Sequence, residues 1–138
     1  MTMIYKFASA CLALLSVGLI SCTAQQAKPI PDNPTGSWHL VWWNNSLALP
    51  SKTITLDITT DEVTGNSSCN AYSGALTIAG STFRVGQLAV TYMYCTDETS
   101  QTEYAYLGLL QAITDWRITD GALILATNGV DELRFTSP

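Results

Sequence analysis

The polar and apolar positions of this chain fall into three patterns. An apolar bias runs from Phe7 to Ile20, a polar, proline-rich stretch follows to Thr35, and short alternating segments begin at Gly36. In Thr53-Ile54-Thr55-Leu56-Asp57-Ile58-Thr59, the aliphatic residues share one face and the polar ones the other. That period of two marks a half-buried strand. Ser37 to Trp43, aromatic and β-branched, predicts the strand before it, and Val63 to Cys69 predicts its hairpin partner across Thr60-Asp61-Glu62. Tyr72 to Ile78 and Thr82 to Val90 predict a second pair around Ala79-Gly80-Ser81. Ala122 to Ala126 and Glu132 to Phe135 predict a third around Thr127-Asn128-Gly129, where Asn-Gly is a strong hairpin signal. One segment changes period: Tyr104, Leu107, Leu110 and Ile113 recur at helical spacing between Asp97 and Thr114, with Tyr106 and Leu109 widening the stripe. Asp97, Glu98 and Glu103 sit in its opening turns, where carboxylates suit the helix dipole. The expected fold is α+β: a small, mostly antiparallel, barrel-like β-sheet with one docked α-helix.

The N-terminal run is about 14 residues, short of the roughly 20 that cross a bilayer. It follows Lys6 and ends in Leu19-Ile20-Ser21-Cys22. A charged start, an apolar run and small residues before a cut are the parts of a signal peptide. The cysteine at the cut resembles the lipobox of bacterial lipoproteins, in which the thiol receives a diacylglyceryl group and becomes the first mature residue. The resemblance implies a signal peptide over 1–21, lipidation of Cys22, loss of Cys11 with the signal, and a membrane anchor made of several acyl chains. Thr23, where an aspartate tends to retain lipoproteins at the inner membrane, favours the outer membrane facing the periplasm. Residues 22–35 then form a tether, held extended by Pro29, Pro31 and Pro34. Residues 36–138 are left as one domain.

All eleven acidic residues of the 138-residue chain lie beyond the signal segment, against Lys28, Lys52, Arg84, Arg117 and Arg134. An acidic chain without a basic stripe does not fit nucleic-acid binding. Its apolar fraction of 47% does not fit disorder in the domain.

Several motifs follow one another in order. Gly36-Ser37-Trp38-His39-Leu40 opens the domain, followed by Val63-Thr64-Gly65-Asn66-Ser67-Ser68-Cys69-Asn70-Ala71-Tyr72-Ser73-Gly74. Leu88-Ala89-Val90-Thr91-Tyr92-Met93-Tyr94-Cys95 precedes the helix, and Gly121-Ala122-Leu123-Ile124-Leu125 follows it. Over residues 36–136 this resembles the META domain, the family of the HslJ-type heat-shock lipoproteins. The resemblance implies a mixed β-structure with one helix and supplies no mechanism. Two departures stand out. The family commonly has glycine before its first cysteine, where this chain has Ser68. It often has basic residues at the positions of Ala71 and Tyr92, so an anionic ligand is not carried over.

Cys69 and Cys95 remain once Cys22 is acylated. Export favours a bridge between them, and two buried thiols packing as small apolar groups is the alternative. Two cysteines and the lone His39 do not make a zinc spacing, so no metal or cofactor is expected. A cysteine nucleophile would depend on His39, beside Trp38 in an aromatic strand. Asp97-Glu98 and Asp131-Glu132 read as solvated turn residues, so no catalysis is expected. Trp42 and Trp43 are adjacent on a strand and point to opposite faces, so one is a candidate partner contact; burial of both, one beneath the helix or linker, is the alternative. Tyr92 and Tyr94 are expected to share a strand face and to extend that surface. The expected role is an envelope module that binds a protein partner and supports envelope integrity or stress tolerance. The alternatives are a carrier of a small hydrophobic ligand in the barrel mouth, and a protease inhibitor acting through Asn66 to Ala71.

Overall fold

The computed structural model describes residues 33–45, 47–50 and 52–138. The apolar segment, Cys22 and most of the tether lie outside the described residues. The elements in order are β1 (Gly36–Trp43), β2 (Thr55–Ile58), β3 (Glu62–Asn66), β4 (Ala71–Ala79), β5 (Thr82–Val85), β6 (Ala89–Val90), α1 (Asp97–Ala112), β7 (Asp115–Thr119), β8 (Ala122–Thr127) and β9 (Val130–Thr136). Every strand pair is antiparallel, in the order β3-β2-β1-β9-β8-β7-β5-β4-β6. Pairing of β3 with β4, from Glu62↔Ala75 to Asn66↔Ala71, bends this sheet into a ring. Among the described strands β6 keeps an open edge, since it pairs with β4 alone.

Alternation carries the core. Ile54, Leu56, Ile58 and Val63 face inward from one side of the ring, and Leu123, Leu125, Leu133 and Phe135 from the other. The expected hairpin at Asn128-Gly129 is present, with φ of 50° and 80°, the left-handed pair a two-residue turn demands. β1 departs from strict alternation. Its register with β9 shifts between Leu40 and Trp42, so Val41 and Trp42 both face outward. Trp43 turns inward at 4% exposure while Trp42 stays 44% exposed.

The structure departs from the sequence reading at β3, at β5 and β6, at α1 and at β7. β7 was not anticipated, although Trp116 and Ile118 alternate with polar neighbours before Asp120-Gly121. The segment Thr82 to Val90 divides into β5 and β6. The strand predicted to Cys69 stops at Asn66, because Ser67 N–H bonds Asn70 O at 2.9 Å and closes a turn. The helix buries Thr102, Tyr106 and Leu110, with Ile113 just beyond it, and leaves Tyr104 84% exposed. The spacing 102/106/110 is the i, i+4 row that lies along one helix face. At the N-terminus the Thr96 side chain accepts from Thr99 N–H, with Asp97 and Glu98 in the first turn.

α1 fills the centre of the ring through Tyr106. Its hydroxyl donates to Tyr72 Oη at 2.7 Å, and Tyr72 donates in turn to Thr55 O at 2.8 Å. Gly65 permits that approach, since a Cβ there would meet Tyr72 Oη at 2.7 Å. Burial pushes the Tyr72 phenol well up. The bond from Tyr106 opposes that shift, and the charge of Asp57 adds to it. Burial pushes Tyr106 up as well, and both the nearness of Tyr72 and the bond donated to it add to the shift. Unfolded tyrosines ionise near pH 10, so above that pH the folded state binds more protons than the unfolded one. Stability is therefore fully present below about pH 10 and falls as pH rises beyond it. Chemical denaturation between pH 8 and 11 is expected to show this loss, and Tyr106→Phe is expected to reduce its slope.

Candidate functional site

Ser67 to Asn70, the turn between β3 and β4, is almost wholly buried. Ser67, Ser68 and Asn70 are each below 5% exposure, so the segment considered for protease inhibition is not an exposed loop. Asn70 organises its surroundings. Its side-chain Nδ2 donates to Glu103 Oε1 at 2.9 Å and lies 3.6 Å from Cys95 Sγ. Its Oδ1 accepts from Thr91 Oγ1 at 3.1 Å and from Met93 N–H at 2.8 Å. Every hydrogen-bonding position of the amide is thus used. Asn70 N–H also donates to Glu103 Oε2 at 2.8 Å, and Ser67 Oγ lies 2.5 Å from the same oxygen. Thr91 exchanges bonds with Ala71 through its hydroxyl and its backbone.

Cys69 and Cys95 are at disulfide distance with Cα atoms 6.2 Å apart. The Cys-Asn motif and the Thr-x-Met-x-Cys motif are therefore two halves of one clasp, which ties the β3–β4 turn to the segment between β6 and α1. Glu103 locks it from the helix. In sequence Glu103 reads as a helix-dipole carboxylate. Its partner lies 33 residues away, and local pattern carries no signal for that.

Ser68 occupies a position better suited to glycine. Its φ is 89°, a left-handed conformation, and its Oγ is buried without a hydrogen-bond partner. Glycine accepts this φ and carries no hydroxyl. Ser68→Gly is expected to stabilise the domain by about 1–2 kcal/mol, after the extra entropy of an unfolded glycine is set against relieved strain and a removed orphan group. Thermal unfolding checks this, and a melting temperature unchanged or lowered would refute it.

The clasp presents the exposed residues. Tyr92 and Tyr94 are fully exposed and Met93 is 56% exposed. They lie in irregular backbone rather than on a strand face, because β6 ends at Val90. Their segment borders an open cleft of about 430 Å³, lined also by Asn70, Thr91, Asp97 and Glu103. Trp42 is on β1, whose neighbours are β2 and β9, so it does not continue the Tyr92–Tyr94 segment that follows β6. Trp43 is removed from the candidate surface altogether: its ring is core and its Nε1 donates to Leu47 O at 2.9 Å. His39 is half-buried on β1, registered with Thr55 and Thr136. Among the described residues no group of three or more His, Cys, Asp or Glu is placed to hold a metal. The centre of the ring is filled by Phe83, Tyr106, Leu110 and Phe135, all fully buried.

The META domain model matches residues 32–138, which include both halves of the clasp. The chain belongs to the META domain family. Among curated proteins none matches it. Three solved structures share the fold. A protein from Burkholderia xenovorans, solved by NMR, is 24% identical with a TM-score of 0.62, over 83% of this chain and 96% of that one. A second NMR structure is 18% identical with a TM-score of 0.55, over 73% of this chain and 87% of that one. A DUF4847 family protein from Bacteroides vulgatus is 13% identical with a TM-score of 0.55, over 75% of this chain and 93% of that one.

Proposed function

We propose that this META domain is a non-catalytic module, lipid-anchored through Cys22 in a bacterial envelope, where it binds a protein partner and supports envelope integrity or stress tolerance. The observation that carries the reading is the tyrosine segment. Two fully exposed aromatic rings flank an exposed methionine, on backbone held by Asn70 and the Cys69–Cys95 bridge. Apolar surface presented on a fixed loop binds with less ordering cost than the same groups on a free one, and aromatic anchors dominate interface energetics. The Leu19-Ile20-Ser21-Cys22 motif supports the anchor. The filled ring centre favours an external contact over carriage of a ligand inside.

The test places a benzophenone-bearing residue at Tyr92, Tyr94 or Trp42 in the lipidated chain in cells, followed by photo-cross-linking. Positions 92 and 94 are expected to capture one protein, and Tyr92→Ala with Tyr94→Ala to abolish function while stability stays within about 0.5 kcal/mol. Full function in the folded, anchored double variant would sink the reading. Mass analysis of the native protein checks the anchor: diacylglyceryl and acyl mass is expected on Cys22 and absent from Cys22→Ser.

A further inference from the structure

We infer that the cleft between the tyrosine segment and the first turns of α1 receives a cationic polypeptide segment, a lysine- or arginine-bearing stretch of the partner. This rests on the partner-binding reading above and specifies its chemistry.

Charge is the first argument. The cleft is lined by Asp97 and Glu103 and by no basic residue. Lys52, Arg84, Arg117 and Arg134 are not among its lining residues, and the ion pair among the described residues, Arg117 with Asp131, joins β7 to β9. Glu103 is engaged by Asn70 and Ser67, so the available charge is the exposed Asp97, with Ser100 one turn on. An anionic lipid surface or nucleic acid would meet repulsion here.

The aromatic lining points the same way. Tyrosine faces attract ammonium and guanidinium groups, and the long stems of lysine and arginine lie along apolar surface while the charged head reaches a carboxylate. Tyr92, Met93 and Tyr94 supply that surface beside Asp97. A chain segment fits better than a small cation because the accessible surface continues onto Val90 and Ala89 of β6. Both are exposed, and their strand pairs on one side only.

The test uses the full lipidated chain in intact cells with the benzophenone-bearing residue at Tyr94, and sequences the cross-linked partner segment. A segment of net positive charge is expected, with capture reduced at least about five-fold by Asp97→Asn and abolished by Asp97→Lys. That segment, made as a synthetic peptide, is expected to bind the detergent-solubilised chain about ten-fold more weakly in 500 mM than in 50 mM salt. A neutral or acidic segment, or capture indifferent to both Asp97 variants, overturns the inference and leaves the partner reading standing. Capture from Trp42 alone does the same. Cross-linking only to a glycan, or to nothing at any of the three positions, overturns both.

Discussion

Asn70→Ala is expected to lower the unfolding free energy by about 3 kcal/mol, the largest loss from any single polar side chain in this domain. The backbone of residue 70 keeps its bonds to Ser67 and Glu103. The side-chain deletion strands Glu103 Oε1, the Thr91 hydroxyl and Met93 N–H at once. Each such group costs about 1–3 kcal/mol when buried, less where water reaches it, as it does at Thr91 and Met93. Urea denaturation checks the magnitude, and a loss below about 1 kcal/mol would refute the keystone role. Amide exchange adds a spatial check, because protection at Met93 is expected to fall further than protection in β8.

Shape alone does not suffice at this position. Asn70→Asp keeps the outline of the side chain but sets a carboxylate oxygen where Nδ2 lies 2.9 Å from Glu103 Oε1. It is expected to destabilise at least as much as alanine. Adding Glu103→Gln restores a donor facing an acceptor, while the other oxygen still serves Ser67 and the residue 70 amide. The double variant is expected to recover at least half of the loss, a coupling that simple cavity formation would not produce.

Loss of the Cys69–Cys95 bridge is expected to cost about 3–4 kcal/mol by the chain-entropy estimate for a separation of 26 residues. Cys69→Ser with Cys95→Ser, compared by denaturation, measures it. Mass analysis of the purified protein under non-reducing conditions is expected to find no free thiol at either position. The bridge and Asn70 hold the same segment, so the combined variant is expected to lose less than the sum of its parts. Partner capture through Tyr94 is expected to fall in both, because each frees the loop that presents the ring.

Much of this architecture was legible because it is local. The alternation of Ile54, Leu56 and Ile58, the Asn128-Gly129 turn, the acidic opening of α1 and the ordered META motifs all lie within short windows. Trp116 and Ile118 before Asp120-Gly121 carried an equally local signal for β7.

What the chain's own pattern determined was the α+β class, the antiparallel strands and the one helix among the described residues. It also determined that Trp42 and Trp43 point to opposite faces, since neighbours on a strand oppose each other, and left open whether the outward one is covered. The tertiary structure decided which one faces outward. The register shift between Leu40 and Trp42 arises from pairing with β9 at the far end of the chain, and it reversed the facing that Trp38 and Leu40 began. Ring closure likewise chose Tyr106 over Tyr104 for burial, because the row that meets Tyr72 is the one that fills the centre. The clasp depended on closure most of all. Asn70 and Glu103 are 33 residues apart, and only the folded ring brings the β3–β4 turn under the helix. Periodicity reports which side of an element is apolar, whereas a polar contact over such a separation exists only after the whole sheet has closed.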